Sequence, residues 1–419
     1  MTVRQCVIVL EDGVSDSLPA ERVRPKALAP CGDRPFLAWL MREMQRFGAE
    51  EFVVLAPSCS AYLEDAIEQI RSFLPKQSEI ILSTCPFSSG TGSALLYSRP
   101  LLQERFFLCH GEALFSGNLS RFLQQAREGN SVLVRSVDGL SRYGNVRLQP
   151  DGEYVEDLYF ESDRSRTAGF ASSGVYIFDH SLFDHLTENC SLEKDVLPAL
   201  VRNRSLKAVP LSGAFWDIGK MADDEIQALD LSGSLLRPAV FLDRDGVINR
   251  DHGWVGTRER FEWESNVRET LARIADRGYH IFIVTNQSGI ARGFYSERDL
   301  EHLMDWVIDS IRECGGNVDD WRYCPIHPEA VIEKYRGTSM DRKPGPGMIL
   351  DLLQRWELRP SCCLMFGDQP SDMAAARAAG VEGITLGPAS LAELIVSREG
   401  FWSLHPLEDQ VAVFRMQSS

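Results

Sequence analysis

The chain is 419 residues long, too long for one ordinary hydrophobic core, so two domains of roughly 150–230 residues are expected. Hydrophobic content of 44% and charged content of 25% fit a soluble globular protein, and 44 Lys and Arg against 60 Asp and Glu, a formal charge of −16, disfavour a nucleic-acid partner. No apolar run approaches the ~20 residues of a membrane span, the start lacks a signal-peptide core, and the scattered cysteines suit reduced thiols, which together point to the cytoplasm.

The first half reads as strands alternating with amphipathic helices. Apolar runs of strand length occur at Cys6 to Leu10, Glu51 to Ala56, Ile80 to Leu82, Phe106 to Cys109, Ser131 to Arg135 and Gly174 to Phe178. Helical periodicity covers Phe36 to Phe47 and Ala61 to Phe73. That alternation predicts a mostly parallel sheet covered on both faces. Between Asp223 and Pro238 the pattern loosens, which divides the chain into a first domain over 1–232, a second over 237–395 and a tail over 396–419. The rhythm then restarts. Strands are expected at Phe241 to Leu242, Tyr279 to Val284, Cys363 to Phe366 and Glu382 to Leu386, with helices at Val267 to Arg277, Glu297 to Cys314, Gly347 to Trp356 and Ser371 to Ala379.

The chemistry-bearing residues of the second half sit where its strands end. Ala239 to Leu242 stops at Asp243 and Asp245, and the next strand runs into Thr285-Asn286-Gln287-Ser288. Arg342 and Lys343 precede a helix, and Leu364 to Phe366 ends in Gly367-Asp368 with Asp372 four residues on. Each has a bland reading: an acid pair is often a turn, Thr-Asn a helix cap, a lysine a surface charge. In a parallel sheet, however, such ends converge on one crevice.

These residue types fit phosphoryl transfer. Asp243 is the expected nucleophile, giving an aspartyl-phosphate, and Asp245 the acid and base for leaving alkoxide and attacking water. Crowded carboxylates repel unless a cation intervenes, and Mg²⁺ is the natural one. Its expected holders are Asp243, the backbone carbonyl of Asp245, and Asp368, with Asp372 orienting the group from behind. Thr285 and Lys343 are placed to hold the phosphoryl oxygens.

With those residues in view, the second half resembles the haloacid dehalogenase superfamily, and more closely the D-glycero-D-manno-heptose 1,7-bisphosphate 7-phosphatases, relatives of the histidinol phosphatases. The likeness covers about 239–388 and is carried by Asp243-Arg244-Asp245-Gly246 through Val255, Thr285 through Gly293, and Arg342-Lys343-Pro344. It implies a sugar bisphosphate substrate and contacts from Asp251, His252, Gly253, Trp254, Asn286, Gln287, Ser288 and Arg342. Two departures stand out. The family's lysine after the first aspartate of its fourth motif is Gln369 here. Its four zinc ligands, Cys-x-His and Cys-x-Cys, are reduced to Cys324 with His327 one place late, and Ser339 and Asp341 replace the second pair. One sulfur, one displaced imidazole and one carboxylate make a poor tetrahedral site, so no structural zinc is expected and the 324–342 loop must be held by packing. The short stretches from Asp243 to Thr285 and from Thr285 to Lys343 leave no room for a folded lid, hence a capless fold.

The first half resembles sugar-1-phosphate nucleotidylyltransferases over about 4–228, through Arg24-Pro25-Lys26, Gly90-Thr91-Gly92, Gly111-Glu112, Ser191-Leu192-Glu193 and Phe215-Trp216-Asp217-Ile218-Gly219. The fold class implied for the whole chain is α/β, with two Rossmann-like three-layer domains in tandem. The family's glycine-rich phosphate loop is replaced by Glu11-Asp12-Gly13-Val14-Ser15-Asp16, three acids where phosphates would lie. Lys26, Glu112, Glu161, Glu193 and Asp217 form the candidate site, with Glu112 where the family has an aspartate and Ser162 where a lysine follows the glutamate. Two readings compete: a domain that still transfers a nucleotide, or a degenerate one kept for assembly into a homo-oligomer or for binding a sugar phosphate as a scaffold. The acidic loop favours the second.

Overall fold

The computed structural model describes residues 3–10, 25–56, 61–84, 90–138, 145–159, 168–219, 221–387 and 390–397. The chain forms two compact units, Met1–Leu235 and Leu236–Ser419. Among the described residues no helix is long and apolar enough to cross a membrane. The expected tail lies outside the described residues from 398 on.

In the first unit the strands longer than two residues are β1 (Gln5–Val9), β2 (Glu51–Ala56), β3 (Glu79–Thr84), β4 (Arg105–His110), β5 (Ala113–Gly117), β6 (Asn130–Asp138), β7 (Asn145–Leu148), β8 (Val155–Tyr159), β9 (Ala168–Asp179), β10 (Leu206–Pro210) and β11 (Gly213–Asp217). Nine of them form one sheet in the order β8-β7-β9-β4-β1-β2-β3, with β6 also on β9 and β10 on β6, while β5 and β11 pair separately. The half built from β4, β1, β2 and β3 is parallel, and its crossovers are the helices α1 (Phe36–Arg46), α2 (Ala61–Arg71) and α3 (Thr91–Ser98). The expectation of a mostly parallel sheet is corrected in the other half, where β9 runs antiparallel to β4, β6 and β7, and β7 antiparallel to β8. For the β7–β8 pair the physical reason is the connection: a short turn through Gly152 (φ +73°) joins them, and a two-strand hairpin can only be antiparallel.

The second unit is simpler. Strands β12 (Ala239–Leu242), β13 (His280–Asn286), β14 (Asp320–Cys324), β15 (Cys363–Gly367) and β16 (Glu382–Thr385) form a wholly parallel sheet in the order β14-β13-β12-β15-β16. Alternate residues of central β12 face different cores. Val240 and Leu242 pack with Val267, Leu271 and Ile274 of α4 (Val267–Asp276) and with Leu300, Met304 and Val307 of α5 (Glu297–Glu313). Ala239 and Phe241 pack with Ile349, Leu352 and Leu353 of α6 (Gly347–Arg355) and with Ala375 and Ala376 of α7 (Pro370–Ala378). A strand buried on both faces needs an unbroken apolar run, which is why Ala-Val-Phe-Leu carries no polar alternation. The chain order reverses direction at β12, so the crevice beyond its carboxyl end is the topological switch point.

Candidate active site

β12 delivers Asp243 into that crevice. The Asp243 amide donates to the Phe366 carbonyl (3.0 Å), the last ladder bond before the chain leaves the sheet. The chain then turns tightly, closed by Gly246 N–H to the Asn249 carbonyl (2.7 Å). Gly246 has φ +82°, and a Cβ there would strike the Asp368 carboxylate. Glycine is therefore what lets the β12 and β15 loops approach.

Lys343 sits at the centre. Its Nζ lies 2.8 Å from Asp243 Oδ1 and 2.7 Å from Asp372 Oδ1, and donates to the Val284 carbonyl at 2.9 Å. Burial opposes the ammonium charge, but Asp243 and Asp372 outweigh it and hold Lys343 above the ordinary lysine range. Burial pushes the Asp243 carboxyl up to about 6, with Lys343 opposing the shift and Asp372 and Asp245 adding to it. Asn286 positions the lysine through its backbone, donating from Nδ2 to the Lys343 carbonyl and accepting the Lys343 N–H at Oδ1, both at 3.0 Å.

Carboxylate oxygens of Asp243, Asp368 and Asp372 lie within 4.8 Å of one another. Burial raises the Asp368 carboxyl above the ordinary value, and its Oδ1 is buried and accepts no hydrogen bond among the described residues. A buried carboxylate oxygen without a donor is costly unless a cation meets it. This set of hard oxygen donors fits Mg²⁺. Asp245 does not join the group through its side chain. Its carboxylate accepts from Arg244 Nη2 (2.8 Å), Asn249 Nδ2 (3.0 Å) and Gln287 Nε2 (3.0 Å), which fix where it points.

One cleft is lined by Asp243, Asp245, Asp251, Gly253, Trp254, Thr285, Asn286, Gln287, Ser288, Lys343, Asp368 and Asp372. Thus residues scattered over four segments of the second half come together. His252 and Arg342 do not line it: His252 Nε2 lies 2.9 Å from Glu262 Oε2, and Arg342 Nη1 donates to the Ile326 carbonyl at 3.2 Å. Trp254 has φ +49°, a left-handed conformation that is unusual for a bulky residue. Arg260 braces it, donating to the carbonyls of His252 (3.0 Å) and Gly253 (2.9 Å).

Tyr295 also belongs to the cleft, although no sequence motif singles it out. Its hydroxyl donates to Gln287 Oε1 (2.6 Å), and Gln287 Nε2 donates to Thr285 Oγ1 (2.8 Å) as well as to Asp245. A Cβ at Gly256 or Gly289 would run into the Tyr295 ring, so these two glycines are the trace that the tyrosine leaves in the sequence. The cleft also takes in Gln369, which donates from Nε2 to Asp368 Oδ2 at 2.8 Å where a family lysine would stand.

Around the 324–342 loop, Glu297 accepts from Tyr335 Oη, from Tyr323 Oη at 2.7 Å and from Lys334 Nζ at 3.0 Å, which hold its carboxyl down at about 2. His327 Nδ1 accepts from the Glu329 amide at 3.0 Å, and Ser339 pairs with Asp341. Hydrogen bonds to α5 and to its own backbone therefore organise this loop.

In the first unit, Lys26 Nζ donates to the carbonyls of Gly219 (2.8 Å) and Met221 (3.0 Å). A Cβ on Gly219 would meet both Glu112 and Asp217, so these three predicted residues gather around one glycine. Glu193 accepts from Thr91 Oγ1 (2.9 Å) and Ser191 Oγ (2.8 Å), with His110 Nε2 3.8 Å from its other oxygen. Glu161 and the acidic 11–16 stretch lie outside the described residues.

Two family models match the chain: haloacid dehalogenase-like hydrolase over residues 246–380, and nucleotidyl transferase over residues 18–228. A D-glycero-beta-D-manno-heptose-1,7-bisphosphate 7-phosphatase of Rhodopseudomonas palustris is 47% identical over 147 residues, 35% of this chain and 82% of that protein. A D-glycero-alpha-D-manno-heptose-1,7-bisphosphate 7-phosphatase of Burkholderia mallei is 44% identical over 148 residues, 35% of this chain and 78% of its own. Among solved structures, HddC from Yersinia pseudotuberculosis is similar at 21% identity and TM-score 0.46, covering 53% of this chain and 97% of that one.

Proposed function

This chain belongs to the haloacid dehalogenase-like hydrolases through its second unit and to the nucleotidyl transferase family through its first, and we propose that it is a Mg²⁺-dependent phosphatase of a sugar bisphosphate, a heptose 1,7-bisphosphate cleaved at position 7. The observation that carries this reading is the buried lysine set between two aspartates beside a third whose inner oxygen has no donor among the described residues. The hydrogen bonds to Asp243 among the described residues, from the Arg244 amide (2.7 Å) and Lys343, fall on Oδ1, which leaves Oδ2 for attack on phosphorus. The bond from phosphorus to the sugar oxygen breaks as the aspartyl-phosphate forms. Asp245 supplies the proton to the departing alkoxide and takes one from the water that later cleaves the acyl phosphate. Lys343 and Thr285 hold the equatorial oxygens of the transferring group. Mg²⁺, held by Asp243, Asp368 and Asp372, would neutralise phosphate charge and lower its repulsion from the carboxylates. The Rhodopseudomonas and Burkholderia phosphatases are named for opposite anomers, so the anomer is for a substrate screen to decide.

Replacing Asp243 with Asn tests the reading. Phosphate release from heptose 1,7-bisphosphate should fall by about 10⁴-fold or more while the melting curve stays cooperative. Undiminished release would end the proposal. A second activity, nucleotide transfer to a sugar 1-phosphate, is supported by the gathering of Lys26, Glu112 and Asp217 around Gly219 and opposed by the acidic stretch at 11–16. Pyrophosphate release from the nucleoside triphosphates with heptose or hexose 1-phosphate decides it: release makes the protein bifunctional, and its absence leaves the first unit a binding or assembly domain.

A further inference from the structure

Asp245 is ringed by donors. Among the described residues its Oδ1 accepts from Arg244 Nη2 (2.8 Å) and Asn249 Nδ2 (3.0 Å), and its Oδ2 from Arg244 Nη2 (2.9 Å) and Gln287 Nε2 (3.0 Å). A guanidinium has no acceptor to offer, and the Asn249 nitrogen is fixed by a second bond, to the Arg250 carbonyl at 2.9 Å. Gln287 is the member of the ring with a choice. Its amide has donors at one end and an acceptor at the other, and the two orientations fill nearly the same space.

An ionised Asp245 accepts only, and so draws the nitrogen of Gln287. Once Asp245 carries the proton that it gives to the leaving oxygen, that hold is gone, and a Gln287 carbonyl turned toward it would take the hydrogen bond of that proton. Tyr295 prevents the turn. Its hydroxyl donates to Gln287 Oε1 at 2.6 Å, and the hydrogens of Nε2 then go to Asp245 and to Thr285 Oγ1 (2.8 Å). Gln287 is 1% exposed, so bulk water does not replace the tyrosine as donor. Burial pushes the Tyr295 hydroxyl up to about 12, which keeps its proton on, while the nearby charge of Arg244 opposes the rise. A cation on that side attracts the phenol lone pairs and turns the O–H toward Gln287. The ring is packed so closely that a Cβ at Gly256 or Gly289 would strike it.

We propose that Tyr295 is the positioning residue of the general acid: it holds Gln287 as a donor in both protonation states of Asp245, which leaves the ester oxygen as the acceptor of the Asp245 proton. In that step the bond from phosphorus to the sugar oxygen breaks and its electron pair stays on the oxygen. The Asp245 proton passes to that oxygen, and Asp245 is left as a carboxylate among its donors. The same orientation makes Thr285 Oγ1 an acceptor from Gln287, so the threonine's own hydrogen is left for a phosphoryl oxygen. This inference rests on the function proposed above.

The test sets heptose 1,7-bisphosphate, whose alkoxide needs a proton to leave, against para-nitrophenyl phosphate, whose phenolate leaves without one, on the full chain with Mg²⁺. The quantity read is kcat/KM, which reports the transfer to Asp243 and not the later hydrolysis common to both esters. Tyr295→Phe should lower it by about 10- to 100-fold for the heptose ester and by about threefold or less for the aryl ester. Gln287→Glu, which presents acceptors to Asp245, should give the same skew, and adding Tyr295→Phe to it should cost nothing further. Equal losses on the two esters would make the tyrosine a prop for the cleft and overturn the proposal, as would no loss on either, or losses from the two substitutions that multiply. If Tyr295→Phe melts without cooperativity, the skew in Gln287→Glu decides alone. Phosphate release from neither ester by the unsubstituted protein would overturn the function and this inference together.

Discussion

Each unit of this protein brings a lysine close to carboxylate-bearing segments, yet the two lysines are used differently. Lys343 of the second unit gives one hydrogen bond to the Val284 carbonyl but is buried between Asp243 and Asp372, and among the described residues a neighbouring Asp368 oxygen is left without a donor. Lys26 of the first unit gives its hydrogen bonds to two main-chain carbonyls, Gly219 and Met221, which tie down the loop beside Asp217. A cation held against carboxylates can be drawn to a substrate phosphate. One held by the main chain has backbone acceptors that would be left unsatisfied by such a move. Matching residue types therefore do not imply matching chemistry, and what the charges face is the better guide.

The strongest way to break the comparison is to remove Lys343. Lys343→Met should cut phosphate release by about 10³-fold, and in metal-free protein should destabilise the second unit by about 3–5 kcal/mol, since Asp243 and Asp372 would lose the cation between them. Retained activity would mean that the lysine is no more engaged in chemistry than Lys26.

Metal sharpens the contrast through pH. Without metal, burial holds the Asp243 carboxyl up at about 6. A carboxyl raised on folding contributes stability that is full below its unfolded value of about 3.9 and is lost as pH rises through the folded value. Mg²⁺ meets the ionised form and offsets that loss. The gain in melting temperature on adding Mg²⁺ should thus be larger at pH 7 than at pH 5, by about 2–4 °C or more. An equal gain at both pH values would show that the ion does not bind at Asp243.

The smallest expected effect is in the first unit. Lys26→Met removes two hydrogen bonds to carbonyls and should cost about 1–3 kcal/mol of stability, read as a shifted denaturation midpoint, with phosphate release unchanged. A fall in phosphate release would mean that the two sites are coupled.

Much of this architecture is legible in the chain. Hydrophobic pattern bounds the strand Glu51–Ala56 to the residue, and it marks β12 because an apolar run that stops at acid is, in an α/β protein, most simply a buried strand opening on a crevice. Asp320–Cys324 escapes such a reading, because this edge strand carries Asp, Trp, Arg and Tyr, mostly half-buried, and lacks the apolar run that marks a central strand. The antiparallel course of β9 is also hidden, since hydrophobic pattern is the same for either direction.

By itself the sequence determined the fold class, the strand ends and the residue types that reach them, because burial dictates apolar runs and chemistry dictates the polar groups placed where those runs stop. Only the tertiary structure decided which of those residues face one another. It set Lys343 against two aspartates and Lys26 against backbone, and clamped Tyr295 between Gly256 and Gly289. Such pairings depend on distances between segments far apart along the chain, and local composition carries no record of them.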